Sequence, residues 1–328
     1  MGFADIIGQQ KPLAVLRAAF ASGRLHHAYL FLGPEGVGKH TVAVAYAKAI
    51  HCSELTNDFC EGCVNCHRIA DGNHPDVRVI EPLSGKKEIS IAQVRELERE
   101  LNYRSFTGKR KIAIIDPATL LNSSSQNALL KTLEEPPQDS LIILIAANTG
   151  ALLPTLRSRC LRLSFAPLAR KEVAGYLQLR HGVGSADAEF VAALGMGSIG
   201  AALSLEKDDL IEKRRQWTAM LGSLKIKDYH GAMIAAEALA RNRDEALKFL
   251  KWAASWYRDL LIHAIDNNSD ELVNLDMREQ IAQQSADGGV EEKLRAFSQS
   301  AGAAARIQRN LNRRMVLEKF LFGVVGGR

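Results

Sequence analysis

Apolar residues fall into two patterns along the chain, and the change from one to the other divides it. Up to about residue 165, short and almost wholly apolar runs alternate with stretches of helical spacing. The runs are Ala28–Leu32, Val77–Ile80, Lys111–Ile115, Leu141–Ala146 and Leu161–Phe165. Apolar runs without polar alternation predict strands buried on both faces, as in a parallel sheet covered by helices. Between them, Thr41–Ile50, Ile91–Leu101 and Leu120–Glu134 carry helical periodicity. Ser90 with Gln93 makes a capping box that opens the second of these helices, and Pro136-Pro137 stops the third. Strands alternating with helices predict an α/β domain.

After Phe165 the strand pattern ends. Arg170–Arg180, Asp187–Leu194 and Ser198–Leu205 predict three short helices, a small helical lid. Leu210–Leu221, Tyr229–Ala240, Arg243–Ile265 and Val290–Phe322 predict longer helices, joined at Gly222-Ser223 and Asn267-Asn268-Ser269. The expected division is an α/β domain over 1–166, a lid over 167–206 and an all-α domain over 207–328. A length of 328 residues and 47% hydrophobic content suit two or three buried cores. The net charge of +5 permits acidic partners without diagnosing nucleic acid. The first residues lack a basic flank before an apolar core, and no apolar run approaches the ~20 residues that span a bilayer. The expectation is a cytoplasmic protein with no membrane partner.

The chemistry concentrates in the α/β part. Gly33-Pro-Glu-Gly36-Val-Gly38-Lys39 follows the first strand and precedes a helix. Glycines at that spacing let backbone N–H groups turn toward phosphate oxygens, with Lys39 in reach of the terminal phosphates. The next position, which should carry a hydroxyl for Mg²⁺, is His40; Thr41 comes one residue later, about 100° around the helix. Asp116 ends the third strand, where a carboxylate holds the metal through water. The residue after it, the usual place of a glutamate that activates the attacking water, is Pro117. The pattern gives a phosphate-loop fold with a damaged ATP/Mg²⁺ site. The blander alternatives are a retained turn with little nucleotide affinity and a plain strand-end aspartate.

Cys52, Cys60, Cys63 and Cys66 are spaced C-x7-C-x2-C-x2-C. Four thiolates suit a tetrahedral, structural Zn²⁺, with Gly62 expected to permit the tight turn. His51 or His67 could replace one ligand, and a redox dithiol is a further alternative. Cys160 stands apart as a small buried residue. Arg157 and Arg159 lie on a short segment after the fourth strand, either as ordinary surface charges or as a cation able to reach a neighbour's γ-phosphate.

Taken together, Gly33 to Lys39, the four-cysteine insertion, Asn73-His-Pro-Asp76, Ser125 to Pro137 and Ser158-Arg-Cys160 resemble bacterial clamp-loader subunits of the AAA+ class. The resemblance covers residues 3 to 205 clearly. It implies an AAA+ phosphate-loop sheet with a zinc insertion, a helical lid and a C-terminal all-α collar that holds a heteropentamer together. It implies partners: tau/gamma motor subunits, a delta subunit, the sliding clamp and primed DNA. In such a loader ATP binding opens the clamp, and hydrolysis releases it on DNA. His40, Pro117 and Gly200, which stands where a motor's second sensor arginine would fall, depart from the motor pattern toward a stator-like subunit. Arg159 would then complete a neighbour's ATP site in trans, and Asn148 falls near the first sensor position.

Two other readings stay open: an ATP-hydrolysing motor of the same assembly, and a stand-alone zinc protein that regulates nucleic acid. On the C-terminal helix, Leu311, Met315, Leu317, Phe320 and Leu321 suit either subunit contacts or an ordinary core. Arg306, Arg309, Arg313 and Arg314 are expected on one helix side, as a solvated face or a contact with DNA or an acidic neighbour. Lys109-Arg-Lys111 has the same ambiguity.

Overall fold

The computed structural model describes residues 2–55, 57–206, 210–267, 269, 271–286, 288–309 and 311–326. The first unit comprises α1 (Gln10–Ala21), β1 (Ala28–Leu32), α2 (Lys39–His51), α3 (Val64–Ala70), β2 (Val77–Ile80), α4 (Ile91–Asn102), β3 (Lys111–Ile115), α5 (Ser123–Glu134), β4 (Ser140–Ala146), α6 (Pro154–Arg157) and β5 (Leu161–Ser164). The five strands form one parallel sheet in the order β2-β3-β4-β1-β5. β1 and β4 lie inside it and are buried at every residue.

Because side chains alternate across a strand, the sheet feeds two cores. Tyr29, Phe31, Ile112, Ile114, Leu141 and Ile143 join α2 residues such as Val42 and Tyr46 on one face. Leu30, Leu32, Ala113, Ile115, Ile142 and Leu144 join Val94 and Leu97 of α4 and Leu129 and Leu133 of α5 on the other. Helix α4 opens with the expected capping box: Ser90 Oγ accepts from the Gln93 N–H, and Gln93 Oε1 accepts from the Ser90 N–H. Helix α5 starts later than the pattern predicts. A 3-10 turn occupies Ala118–Leu120, and Asn122 caps Ser123 onward through the Ser125 N–H.

The remaining helices are α7 (Arg170–His181), α8 (Ser185–Leu194), α9 (Ile199–Glu206), α10 (Leu210–Ser223), α11 (Tyr229–Ala240), α12 (Arg243–Ile265), α13 (Arg278–Ala286), α14 (Val290–Gln308) and α15 (Arg313–Val325). The chain divides into two compact units, Met1–Glu172 with Gly197–Ala201, and Val173–Met196 with Ala202–Arg328. Residues 197–201 group with the sheet, and α8 groups with the C-terminal helices.

In the second unit α12 buries Phe249, Trp252 and Trp256. Arg214 of α10 is fully buried, forks onto the Asp276 carboxylate and lies 3.9 Å over the Phe190 ring of α8. The long helix expected over Val290–Phe322 is two helices. The chain breaks after Gln308, and Asn312 caps α15 by accepting from the Met315 N–H. Arg306 and Arg309 therefore do not share a helix face with Arg313 and Arg314. Arg314 is engaged by Glu318 and Glu237. Leu317, Phe320 and Leu321 are core residues of this chain, whereas Leu311 and Met315 are exposed. Among the described residues no single helix is long and apolar enough to cross a membrane.

Candidate nucleotide, metal and arginine sites

Parallel strands bring their C-terminal ends to one edge of the sheet, where ligands of open α/β folds sit. β1 ends in the phosphate loop and β3 ends in Asp116 at that edge. Gly38 caps α2, so the helix begins at Lys39 as the motif requires. Gly36 has φ +70°, and a Cβ there would lie 2.3 Å from Ser198 Oγ. The Gly200 N–H donates to Gly36 O at 3.1 Å, and the two glycines pack backbone on backbone. The position assigned to a sensor arginine is thus packed closely against the phosphate loop, where a Cβ would sit 3.0 Å from the Gly36 Cα.

The loop's polar groups are engaged with one another. Lys39 is 6% exposed and its Nζ donates to Gly33 O and Pro34 O, both at 2.6 Å. Burial pushes its ammonium below the usual range, with the charges of Asp116 and Glu35 opposing. His40 Nδ1 lies 2.9 Å from Asp116 Oδ2. The hydrogen bond to Asp116 raises the imidazole's pKa, against a burial effect that lowers it. An imidazole therefore stands where a hydroxyl should face magnesium, and it holds the carboxylate that should face the same ion. This donor set does not fit Mg²⁺, which demands a near-octahedral shell of oxygens. Thr41 is exposed on α2. Asn148 is exposed as well, and its Oδ1 accepts from the Gly150 N–H at 3.0 Å, closing a local turn.

The cysteines lie at the opposite edge, where α2 delivers the chain. The sulfur atoms of Cys52, Cys60, Cys63 and Cys66 are within 4.8 Å of one another. Backbone N–H groups of Leu55, Cys63 and Cys66 donate to Cys52, Cys60 and Cys63 Sγ. Burial opposes ionisation of Cys63, yet hydrogen bonds from Ser53 and Cys66 outweigh it and bring its thiol down to about 5. Four converging sulfurs with N–H donors aimed at them can hold a soft divalent ion. The left-handed residue of the turn is Glu61 (φ +56°), not Gly62 as expected; the Glu61 carboxylate lies 3.4 Å from Lys48 Nζ. His67 is exposed and His51 points elsewhere. Cys160, expected to be buried, is half-buried against the α5 core.

His51 belongs to a polar knot that the sequence pattern does not announce. Asp76, 2% exposed, accepts from the Phe106 and Thr107 N–H groups and from the Ser105 and Thr107 hydroxyls, at 2.8–2.9 Å. Burial would raise its pKa, but these donors hold it down to about 2. Thr107 Oγ1 then contacts His51 Nδ1 at 3.2 Å, and Lys109 Nζ donates to Cys52 O at 2.8 Å. The knot ties the cysteine module to the loop before β3. His51, His74 and Asp76 are near enough to share an ion, but the carboxylate already faces five donor groups from four residues, counting Lys111 Nζ at 3.6 Å.

Arg159 follows the short helix α6. Its guanidinium pairs with Glu134 at 2.6 Å and donates to Thr155 O at 2.8 Å, with the side chain about a third exposed.

The family described as "DNA polymerase III, delta subunit" matches residues 8–169. The DNA polymerase III subunit delta' of Bacillus subtilis is 30% identical over 319 residues, 94% of each chain. The DNA polymerase III subunit tau/gamma of Haemophilus influenzae is 35% identical over 222 residues, 66% of this chain but 32% of that protein. A solved structure of a DNA polymerase III gamma subunit-related protein from Thermotoga maritima matches at 18% identity with a TM-score of 0.42, covering 97% of this chain and 99% of that one. The match to subunit delta' over 94% of each chain, joined to the phosphate-loop sheet and the cysteine module described above, fixes the assignment: the chain belongs to the delta-prime family of DNA polymerase III clamp-loader subunits.

Proposed function

We propose that this chain is the stator-like subunit of the loader: it does not hydrolyse ATP itself but lends Arg159 to an adjacent tau/gamma motor subunit. The observation that carries this reading is the His40–Asp116 bond of 2.9 Å. It consumes both positions that would hold magnesium in the chain's own pocket, and Pro117 supplies no general base. Arg159, by contrast, is about a third exposed, on the turn that follows α6. A guanidinium offered there can stabilise charge that grows on a γ-phosphate during phosphoryl transfer. The four cysteines would hold a structural Zn²⁺, with no open coordination position and so no catalytic part for the ion. The C-terminal helices would form the collar of a heteropentamer, with delta, the sliding clamp and primed DNA as further partners, in the cytoplasm.

The purified chain should show almost no Mg²⁺-dependent ATP turnover. Arg159→Ala should leave the chain folded and reduce turnover at one site of the reconstituted loader, by roughly 10³-fold if the arginine acts as a full finger. Rapid hydrolysis by the isolated chain, or unchanged loader turnover with the variant, would overturn the reading. The likeness to tau/gamma subunits favours a motor as the second reading, and the same two assays decide between them.

A further inference from the structure

Most of the Ser125–Pro137 stretch is helical. Its residues up to Glu134 belong to helix α5, which runs beside the turn that bears Arg159. Gln126, 4% exposed, spends its whole amide on that connection. Its Nε2 donates to Leu121 O at 3.0 Å and to Ala151 O at 2.8 Å, and its Oε1 accepts from the Leu153 N–H at 2.8 Å. Leu129 and Leu133 of α5 pack with Leu152 and Leu156 of the turn in one buried cluster. At the far end of the same helix, Glu134 Oε1 meets Arg159 NH2 at 2.6 Å. The other terminal nitrogen, Nη1, donates to Thr155 O at 2.8 Å and to Ser158 Oγ at 3.4 Å.

An arginine left free on a surface turn spreads over many rotamers, and reaching one geometry costs side-chain entropy. Here both terminal nitrogens of the planar fork are bonded, one of them to a helix locked to the turn by Gln126 and the leucine cluster. We infer that Glu134 is a positioning residue for Arg159: its carboxylate holds the guanidinium extended and oriented, ready for delivery to a neighbouring subunit's phosphate. This rests on the trans reading of Arg159 and adds to it the device that aims the group. Glu134 is half exposed, so its pairing contributes orientation and little stability.

The test uses the reconstituted loader with the full-length chain, ATP, clamp and primed DNA, and compares E134A, E134Q, R159A and E134A/R159A. A half-exposed pair of this kind predicts that E134A lowers kcat about 3- to 5-fold, with KM for ATP unchanged. E134Q keeps an acceptor for the guanidinium and should recover most of the loss. The double variant should be no slower than R159A, since Glu134 acts only through Arg159. The melting temperature of the isolated E134A chain should stay at the wild-type value, which a merely structural role would not allow. Turnover of E134A at or above wild type, a multiplicative loss in the double variant, or a rise in KM without a fall in kcat would overturn the inference while leaving the role of Arg159 intact. Normal turnover by R159A would overturn both.

Discussion

Replacing Asp76 with asparagine should cost the first unit a large share of its stability, and the cost should fade in acid. The carboxylate is 2% exposed and accepts four hydrogen bonds, with Lys111 Nζ 3.6 Å away. These donors bring its pKa down to about 2, roughly two units below the ordinary aspartate value, which corresponds to about 2–3 kcal/mol of folding stability at neutral pH. Asparagine keeps the shape but loses the charge, and it turns an NH2 toward N–H donors. A loss of about 3 kcal/mol is expected. Because the folded pKa is depressed, the aspartate's contribution is complete above about pH 4 and disappears as pH falls through about 2. All three tryptophans, Trp217, Trp252 and Trp256, lie in the second unit. Urea unfolding followed by far-UV circular dichroism reports both units and tryptophan fluorescence only the second, so their difference isolates the first. Wild type and D76N, with metal content matched, should differ most at pH 7 and converge toward pH 2. A gap under ~0.5 kcal/mol at pH 7, or one that widens in acid, would refute the account of the knot.

Two further outcomes follow from the site geometry. Cys63→Ser removes one of four converging sulfurs and should abolish stoichiometric zinc, measured by a chromogenic chelator after unfolding; it should also lower the midpoint of the first unit's urea transition. Zinc-free wild type of undiminished stability would contradict the structural role. His40→Thr releases Asp116 and restores a hydroxyl, so Mg²⁺-dependent binding of a fluorescent ATP analogue should tighten while turnover stays at background, because Pro117 still lacks a carboxylate. The same pair has a pH signature. The His40 pKa is raised by its partner, so whatever stability the pair adds is fully present below the ordinary histidine range and is lost as pH rises through the folded value.

What could be read in the sequence was what leaves a periodic or spaced trace. β1, β3 and β4 were visible because strands covered on both faces have no polar positions to interrupt them. The phosphate loop and the cysteines were visible because glycine and thiolate chemistry fixes their spacing. Contacts between distant residues leave no such trace. Asp76 and Thr107 are separated by 31 residues, and His40 and Asp116 by 76. The sequence marks each of the latter two, but not that they bond to each other. The break after Gln308 was hidden because Arg309 and Asn312 look like one more solvated turn of helix. The left-handed residue at Glu61 was missed because glycine is the default for positive φ, and Gly62 stood beside it.

The departures from a working ATP site are coupled, which argues for a settled structure over a motor in decay. A lost magnesium hydroxyl would leave Asp116 bare at the end of β3, a carboxylate facing another acidic ligand were nucleotide to enter. His40 instead gives that carboxylate a partner at 2.9 Å. A lost sensor arginine would leave a gap over the loop. Gly200 instead closes on Gly36 so tightly that a Cβ at residue 200 would sit 3.0 Å from the Gly36 Cα, and its N–H satisfies Gly36 O. Lys39, freed from phosphate, satisfies two loop carbonyls. His40, Gly200 and Lys39 thus each make an intrachain contact at a position that the motor pattern assigns to metal or phosphate. Such contacts suit the proposed non-hydrolysing role better than that of a motor that cycles between bound and empty states.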